Sequence, residues 1–274
     1  MISSSEETLF MNIYKPDYTF EPWKESKLKV IIFGRNSGIT NWRRLFDKTD
    51  PRKDPTKKLM AQSIADALAE AGMRTNRTND ILVPNTSAFN ALVCKADELT
   101  ELSRLDQLNF WRGATAEGTA VPKGKVFASL PADCYTVVVL SESGTVIAFH
   151  CGGKSTYDDI ALRTGGPKRK FESVVDAVID TFLNQNDNIN GLKVFMVCGI
   201  SSRHFRIDIP NVAREQFTRH GVPAENFFFE PKAETYDSMD SKQEPRLWSH
   251  ERAKDNDKKL EAKICRNIVL VTNP

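Results

Sequence analysis

A mixed class, α/β or α+β with a mixed β-sheet, is what this sequence predicts, and two observations carry that expectation. Short apolar runs suited to buried strands alternate with longer segments of helical period, without a clean repeat. The 274 residues are 40% hydrophobic, enough to bury a substantial core in one large domain or two small ones.

Taken in order, residues 1–26 are polar and carry Pro16 and Pro22, which predicts an irregular N-terminal arm. The run "KLKVIIFG" (27–34) predicts the first buried strand, and the basic stretch "RNSGITNWRRLFDKTDPRKDP" after it a loop. Leu59, Ile64, Leu68 and Ala71 recur at helical spacing and Gly72 closes the segment, so a helix is expected over 56–73. Strands are expected in "ALVC" (91–94) and "KVFASL" (125–130). A hairpin is expected in "PADCYTVVVLSESGTVIAFHCGGKST" (131–156), turning at "SESG". The helix over 170–185 sets Phe171, Val174, Val175, Val178 and Phe182 on one side. "GLKVFMVCG" (191–199) reads as a strand, and 208–222 as a helix with Pro210 near its start and Gly221 at its end. "NFFFE" and "CRNIVLV" (265–271) supply the last strands. Between them, 233–261 holds too few apolar residues to pack fully and reads as a polar surface excursion.

Lys plus Arg total 38 against 36 for Asp plus Glu, so the balance offers no argument for nucleic acid or an anionic membrane as partner. Five cysteines at irregular spacing do not make a secreted disulfide framework, which predicts reduced thiols in the cytoplasm. No run approaches the ~18 apolar residues of a spanning helix, and the N-terminus lacks the basic and apolar regions of an export signal.

Chemistry concentrates at the two open ends of the hairpin. If Glu142, Ser143 and Gly144 form its loop, with the glycine left-handed, His150 pairs with Thr136 and Cys134 lies on the same face at the diagonal, ~7–8 Å off. A bend at the strand ends would close that gap. Three readings stay open for the pair. One is a thiolate nucleophile with an imidazole base. Another is part of a zinc site, which needs a third ligand. The last is a packed cysteine beside a hydrogen-bonded histidine. Gly152 and Gly153 then lead to Lys154, Ser155 and Thr156, where backbone can approach a ligand closely and a cation and hydroxyls can meet an anion.

These residues resemble the signature of the laccase-domain proteins, also called multicopper polyphenol oxidoreductase-like or peptidoglycan-editing-factor proteins. That signature runs Ala-Asp-Cys, strand, turn, strand, His-Ala-Gly-Trp-Arg-Gly; Ala132, Asp133, Cys134, His150 and Gly152 match it. "FGRNSGITNW", with Arg35 and Gly38, "VCGISSRHFRIDI" and "LWSHERAKDNDKKLEAKICRNIVLV" resemble further family segments in the family's order, so the similarity spans about residues 28–271. The resemblance implies one α/β domain over 27–274 with a central mixed sheet flanked by helices. It also implies zinc held by two histidines and a cysteine. Cys134 and His150 carry over, while the family's first histidine is replaced by Cys94. Two thiolates and an imidazole still make a good zinc set, although the added negative charge lowers the metal's Lewis acidity. Gly153 and Lys154 replace a Trp-Arg pair, and His250, Glu251 and Arg252 replace Tyr-Arg-Arg. A lysine meets phosphate as a point charge without the guanidinium fork.

The implied function is a zinc-dependent purine-nucleoside enzyme, a phosphorylase or adenosine deaminase, whose substrates are a small nucleoside and phosphate. Cys134, His150 and Arg35 would be catalytic, and Arg35, Lys154, Gly152, Gly153, Ser155 and Arg252 would hold substrate or phosphate. Nothing in the sequence supports copper oxidation: there is no His-x-His pair, and four histidines are too few for a multicopper cluster. The same hairpin resembles the cysteine-histidine deamidase domains of the cytotoxic necrotizing factors, which implies as an alternative a Cys134 and His150 hydrolase or deamidase of a protein or small amide. A binding protein that kept the fold and lost catalysis is the other expectation.

Overall fold

The computed structural model describes residues 15–35, 41–46, 54–73, 78–86, 90–156, 170–256 and 265–274. Apolar runs set the strands: β1 (Tyr18–Phe20), β2 (Val30–Phe33), β3 (Asn79–Leu82), β4 (Val93–Cys94), β5 (Glu101–Leu105), β6 (Leu108–Arg112) and β7 (Gly118–Ala120). The chain continues through β8 (Lys125–Ser129), β9 (Tyr135–Leu140), β10 (Val146–Cys151), β11 (Lys193–Val197), β12 (Phe227–Phe229) and β13 (Ile268–Asn273). The helices are α1 (Pro55–Glu70), the single turn α2 (Gly153–Thr156), α3 (Val174–Leu183), α4 (Ile209–Arg219) and α5 (His250–Asp255).

The mixed class holds, and the strands divide into two mixed sheets. One has seven strands in the order β1-β2-β13-β8-β3-β6-β5; the other has six in the order β12-β11-β9-β10-β7-β4. Alternation along the strands decides what each face covers. Ile31, Phe33, Ile81, Phe110 and Leu270 of the first sheet pack under Met60, Ile64 and Leu68 of α1. On the second sheet Val137, Val139, Phe149 and Met196 pack under Val175, Val178 and Phe182 of α3 and Ala213 and Phe217 of α4. The remaining faces meet each other, Val30, Ile32, Phe127 and Val269 against Val138, Ala148, Phe195 and Val197. The layers therefore run helix, sheet, sheet, helix, and each fully buried Val, Leu, Ile or Phe contributes about 1.5–3 kcal/mol of transfer free energy.

Helix ends follow the local chemistry. The Asp54 carboxylate accepts from the amides of Thr56 and Lys57 while Pro55 occupies the first turn, and Gly72, at φ +83°, closes α1. Pro210 and Gly221 bracket α4 as expected. The N-terminal arm differs from the irregular segment expected: Tyr18–Phe20 pairs antiparallel with β2, and residues 1–14 lie outside the described residues. The polar excursion is tied down by Leu247, Trp248 and Ala253, which are buried, and by α5; residues 257–261 lie outside the described residues. Among the described residues no helix is long and apolar enough to cross a membrane.

Candidate functional site

The β9–β10 hairpin turns through Glu142, Ser143 and Gly144, with Gly144 at φ +87°, and pairs His150 with Thr136. This is the register the turn chemistry implied. His150 shares its parity with Ala148 and Val146 and so faces the other sheet rather than the α3 and α4 layer. Cys134 immediately precedes β9, on that same side. The two strand ends do bend together: a methyl group on Gly152 would lie 2.7 Å from Cys134 Sγ and 3.2 Å from His150 Cε1, and the two side chains hydrogen-bond. Only glycine permits this approach.

The third member of the group is Glu117. It directly precedes β7, which pairs antiparallel with β10, and the His150 amide donates to the Glu117 carbonyl at 2.7 Å. Antiparallel partners point to the same face, so the Glu117 carboxylate meets the imidazole, with Oε2 2.7 Å from Nδ1. That leaves Nε2 for the sulfur. Glu117 is fully buried, and its Oε1 has no hydrogen-bond partner among the described residues. Burial disfavours a charged imidazole, but the Cys134 sulfur and the Glu117 carboxylate outweigh it and raise the His150 pKa from 6.5 to about 10.

Cys134 and His150 open into a cavity of about 840 Å³ between the ends of the two sheets. Its walls include the 83–86 segment, the end of β8 and the connection from it to β9 (128–134), Phe205, Ile209 and the start of α5, together with Arg43, Arg112 and Arg266. The volume suits a small organic molecule.

Of the residues singled out from the sequence, Cys134, His150 and Gly153 line this cavity, and Gly152 backs the sulfur. Cys94 does not join them. Its side chain packs with Leu82, Leu99 and Ala116, its thiol donates to the Gly118 carbonyl at 3.5 Å, and burial pushes its pKa up. The expected zinc set of Cys94, Cys134 and His150 is therefore not assembled: among the described residues no three His, Cys, Asp or Glu side chains converge as metal ligands. Since no third donor converges on Cys134 and His150, the described residues do not fit a zinc ion bound by three protein ligands.

The expected substrate contacts need correction too. Arg35 lies over the Trp248 ring, 5.1 Å from its centroid, and does not line the cavity. Arg252 turns its guanidinium inward to the carbonyls of Thr235, Tyr236 and Leu247, which spends it on holding the excursion together. Ser155 is buried, its hydroxyl bonded to the backbone of Gly152, and Lys154 is exposed outside the cavity wall. Asp133 lines the cavity with its carboxylate tied to the Thr235 hydroxyl and the Glu251 amide. Glu117 and the three arginines were not singled out from the sequence. An acidic residue in "AEGTAV" and arginines scattered over 43, 112 and 266 share no local spacing; topology brings them together.

A two-sheet α/β protein with a cysteine, a histidine and a glutamate in register at the open end of the sheets is the class defined by this fold and site, and its fold is that of the laccase-domain proteins. Three solved structures carry the comparison. YfiH of Bacillus licheniformis superposes with a TM-score of 0.60 at 13% identity, over 90% of this chain and 93% of its own. YlmD of Geobacillus stearothermophilus gives 0.59 at 13% identity, over 90% and 92%. NMB0706 of Neisseria meningitidis, of the family DUF152, gives 0.58 at 14% identity, over 94% and 99%. No family model matches this sequence, and no curated relative matches it.

Proposed function

We propose that this protein is a cysteine-dependent hydrolase acting on a small amide. The carrying observation is the chain of contacts from Glu117 through His150 to Cys134 at the cavity. The Cys134 thiolate attacks the amide carbonyl carbon. His150, held in one orientation by Glu117, delivers the proton that lets the amine or ammonia leave. Water, its proton taken by the same imidazole, then attacks the thioester, releasing the carboxylic acid and restoring the thiolate beside the protonated imidazole. Five cysteines with no disulfide between them suit a reducing compartment such as the cytoplasm.

A zinc-dependent nucleoside enzyme is the second reading, favoured by one contact: a carboxylate on the far nitrogen of a histidine also orients metal ligands. It requires a third donor that the described residues do not bring to Cys134 and His150.

Site-resolved alkylation with iodoacetamide, with and without prior chelation, separates the two. The hydrolase reading expects Cys134 to react at a rate unchanged by chelator and to lose about tenfold or more in His150→Gln, since that variant removes the imidazole hydrogen-bonded to the sulfur. Stoichiometric zinc on elemental analysis, with alkylation appearing only after chelation, would favour the metal enzyme.

A further inference from the structure

Three arginines, from three distant parts of the chain, line the cavity that holds Cys134. Arg43 comes from the 3-10 turn Trp42–Phe46, Arg112 ends β6, and Arg266 precedes β13. Arg112 rests over the Phe46 ring, 5.5 Å from its centroid. Neither Arg43 nor Arg112 has an ion-pair partner among the described residues. Of the carboxylates on the same wall, Asp133 accepts from the Thr235 hydroxyl and the Glu251 amide while its charge also favours the Arg266 guanidinium, and Glu251 pairs with Lys254 at 2.8 Å. Arg266 donates to the Cys265 carbonyl, and burial and the like charge of Arg43 make its guanidinium less basic, against the opposing influence of Cys134, Cys265 and Asp133. Two arginines that repel one another in a cavity, beside Asn85 and Thr86, make a site that an anion relieves.

We infer that Arg43, Arg112 and Arg266 form a carboxylate subsite, so that the molecule presented to Cys134 is a small amide bearing an acidic group. This rests on the proposed hydrolase. It also distinguishes the substrate from a glutamine side chain of a protein, which brings no charge of its own. Planar guanidinium forks suit a carboxylate held in one orientation, and anchoring it fixes the amide carbon against the sulfur.

The test compares alkylation of Cys134 by iodoacetate, an anion, and iodoacetamide, its neutral analogue, in wild type, Arg43→Gln and Arg266→Gln. Because both reagents attack one thiol, the ratio of rates cancels that thiol's reactivity and reports charge in the cavity. The expected ratio is about tenfold above that of the same cysteine in the denatured chain, falling several-fold in each variant. Succinate should slow wild-type alkylation at lower concentration than inorganic phosphate does, and lose that effect in the variants. Arg43 is exposed, so Arg43→Gln keeps the fold even if Arg266→Gln fails to. A wild-type ratio equal to the denatured one, a ratio unmoved in Arg43→Gln, or protection by phosphate alone would overturn the carboxylate subsite. Slow alkylation by both reagents with the ratio still raised would uphold the subsite and end the nucleophile reading instead.

Discussion

Glu117 is completely buried and one of its oxygens accepts no hydrogen bond from the described residues, a costly arrangement unless a cation stands beside it. His150 is that cation. In Glu117→Gln the imidazole loses its carboxylate, so its proton is held less firmly and its orientation toward Cys134 is less fixed. Alkylation of Cys134 at neutral pH should fall by about tenfold, with the His150 titration midpoint, followed by NMR, moving down. A variant that alkylates at the wild-type rate would reduce Glu117 to packing. The same pair ties stability to pH. His150 binds its proton more tightly folded, at about 10, than unfolded, at 6.5, so its contribution is fully present below pH 6.5 and is lost as pH rises toward 10. Urea titrations should therefore show the stability gap between wild type and His150→Gln narrowing across that window; a constant gap contradicts the assignment.

At the scale of the element, the β9–β10 hairpin was legible because one turn sets its register. A three-residue loop with a left-handed glycine allows one pairing, and that pairing puts His150 opposite Thr136 and on the face of Cys134. The same reasoning could not reach Cys94. β4 has two residues, too few to show an alternation, and its outward face belongs to Leu82, Leu99 and Ala116. Nor could it reach Glu117: β7 is "GTA", without an apolar pattern, and its pairing with β10 is long-range. β5 went unseen because it is an exposed edge strand, with only Leu105 buried. The close fit of the hairpin's end makes its own prediction. Gly152→Ala places a methyl group 2.7 Å from the Cys134 sulfur, so the sulfur or the strand must shift. That should cost about 1–3 kcal/mol in chemical denaturation and slow alkylation of Cys134 while leaving the other thiols unaffected. Wild-type stability and rate in this variant would mean that the sulfur does not sit against Gly152.

The whole molecule places its site where two sheets, each covered by helices on its outer face, meet across an apolar layer. That layer ends at the cavity in a polar tie between the sheets: the hydroxyls of Ser129 on β8 and Thr136 on β9 lie 2.6 Å apart, both buried. Thr136 is also the cross-strand partner of His150, so this contact joins the first sheet to the strand pair that carries the imidazole. Thr136→Val leaves the Ser129 hydroxyl buried without its partner and should destabilise the fold by about 1–3 kcal/mol. Adding Ser129→Ala removes the orphaned hydroxyl, so the double variant should regain most of that loss, and the cycle of four proteins isolates the coupling between the sheets. Because the tie holds the cavity's two walls in register, the single variant should also lose the preference of Cys134 for iodoacetate over iodoacetamide, while the double variant, still apolar and close-packed there, should recover part of it. Strict additivity of the two substitutions in urea denaturation would show that the sheets are held by the apolar layer alone and that the site owes nothing to this hydrogen bond.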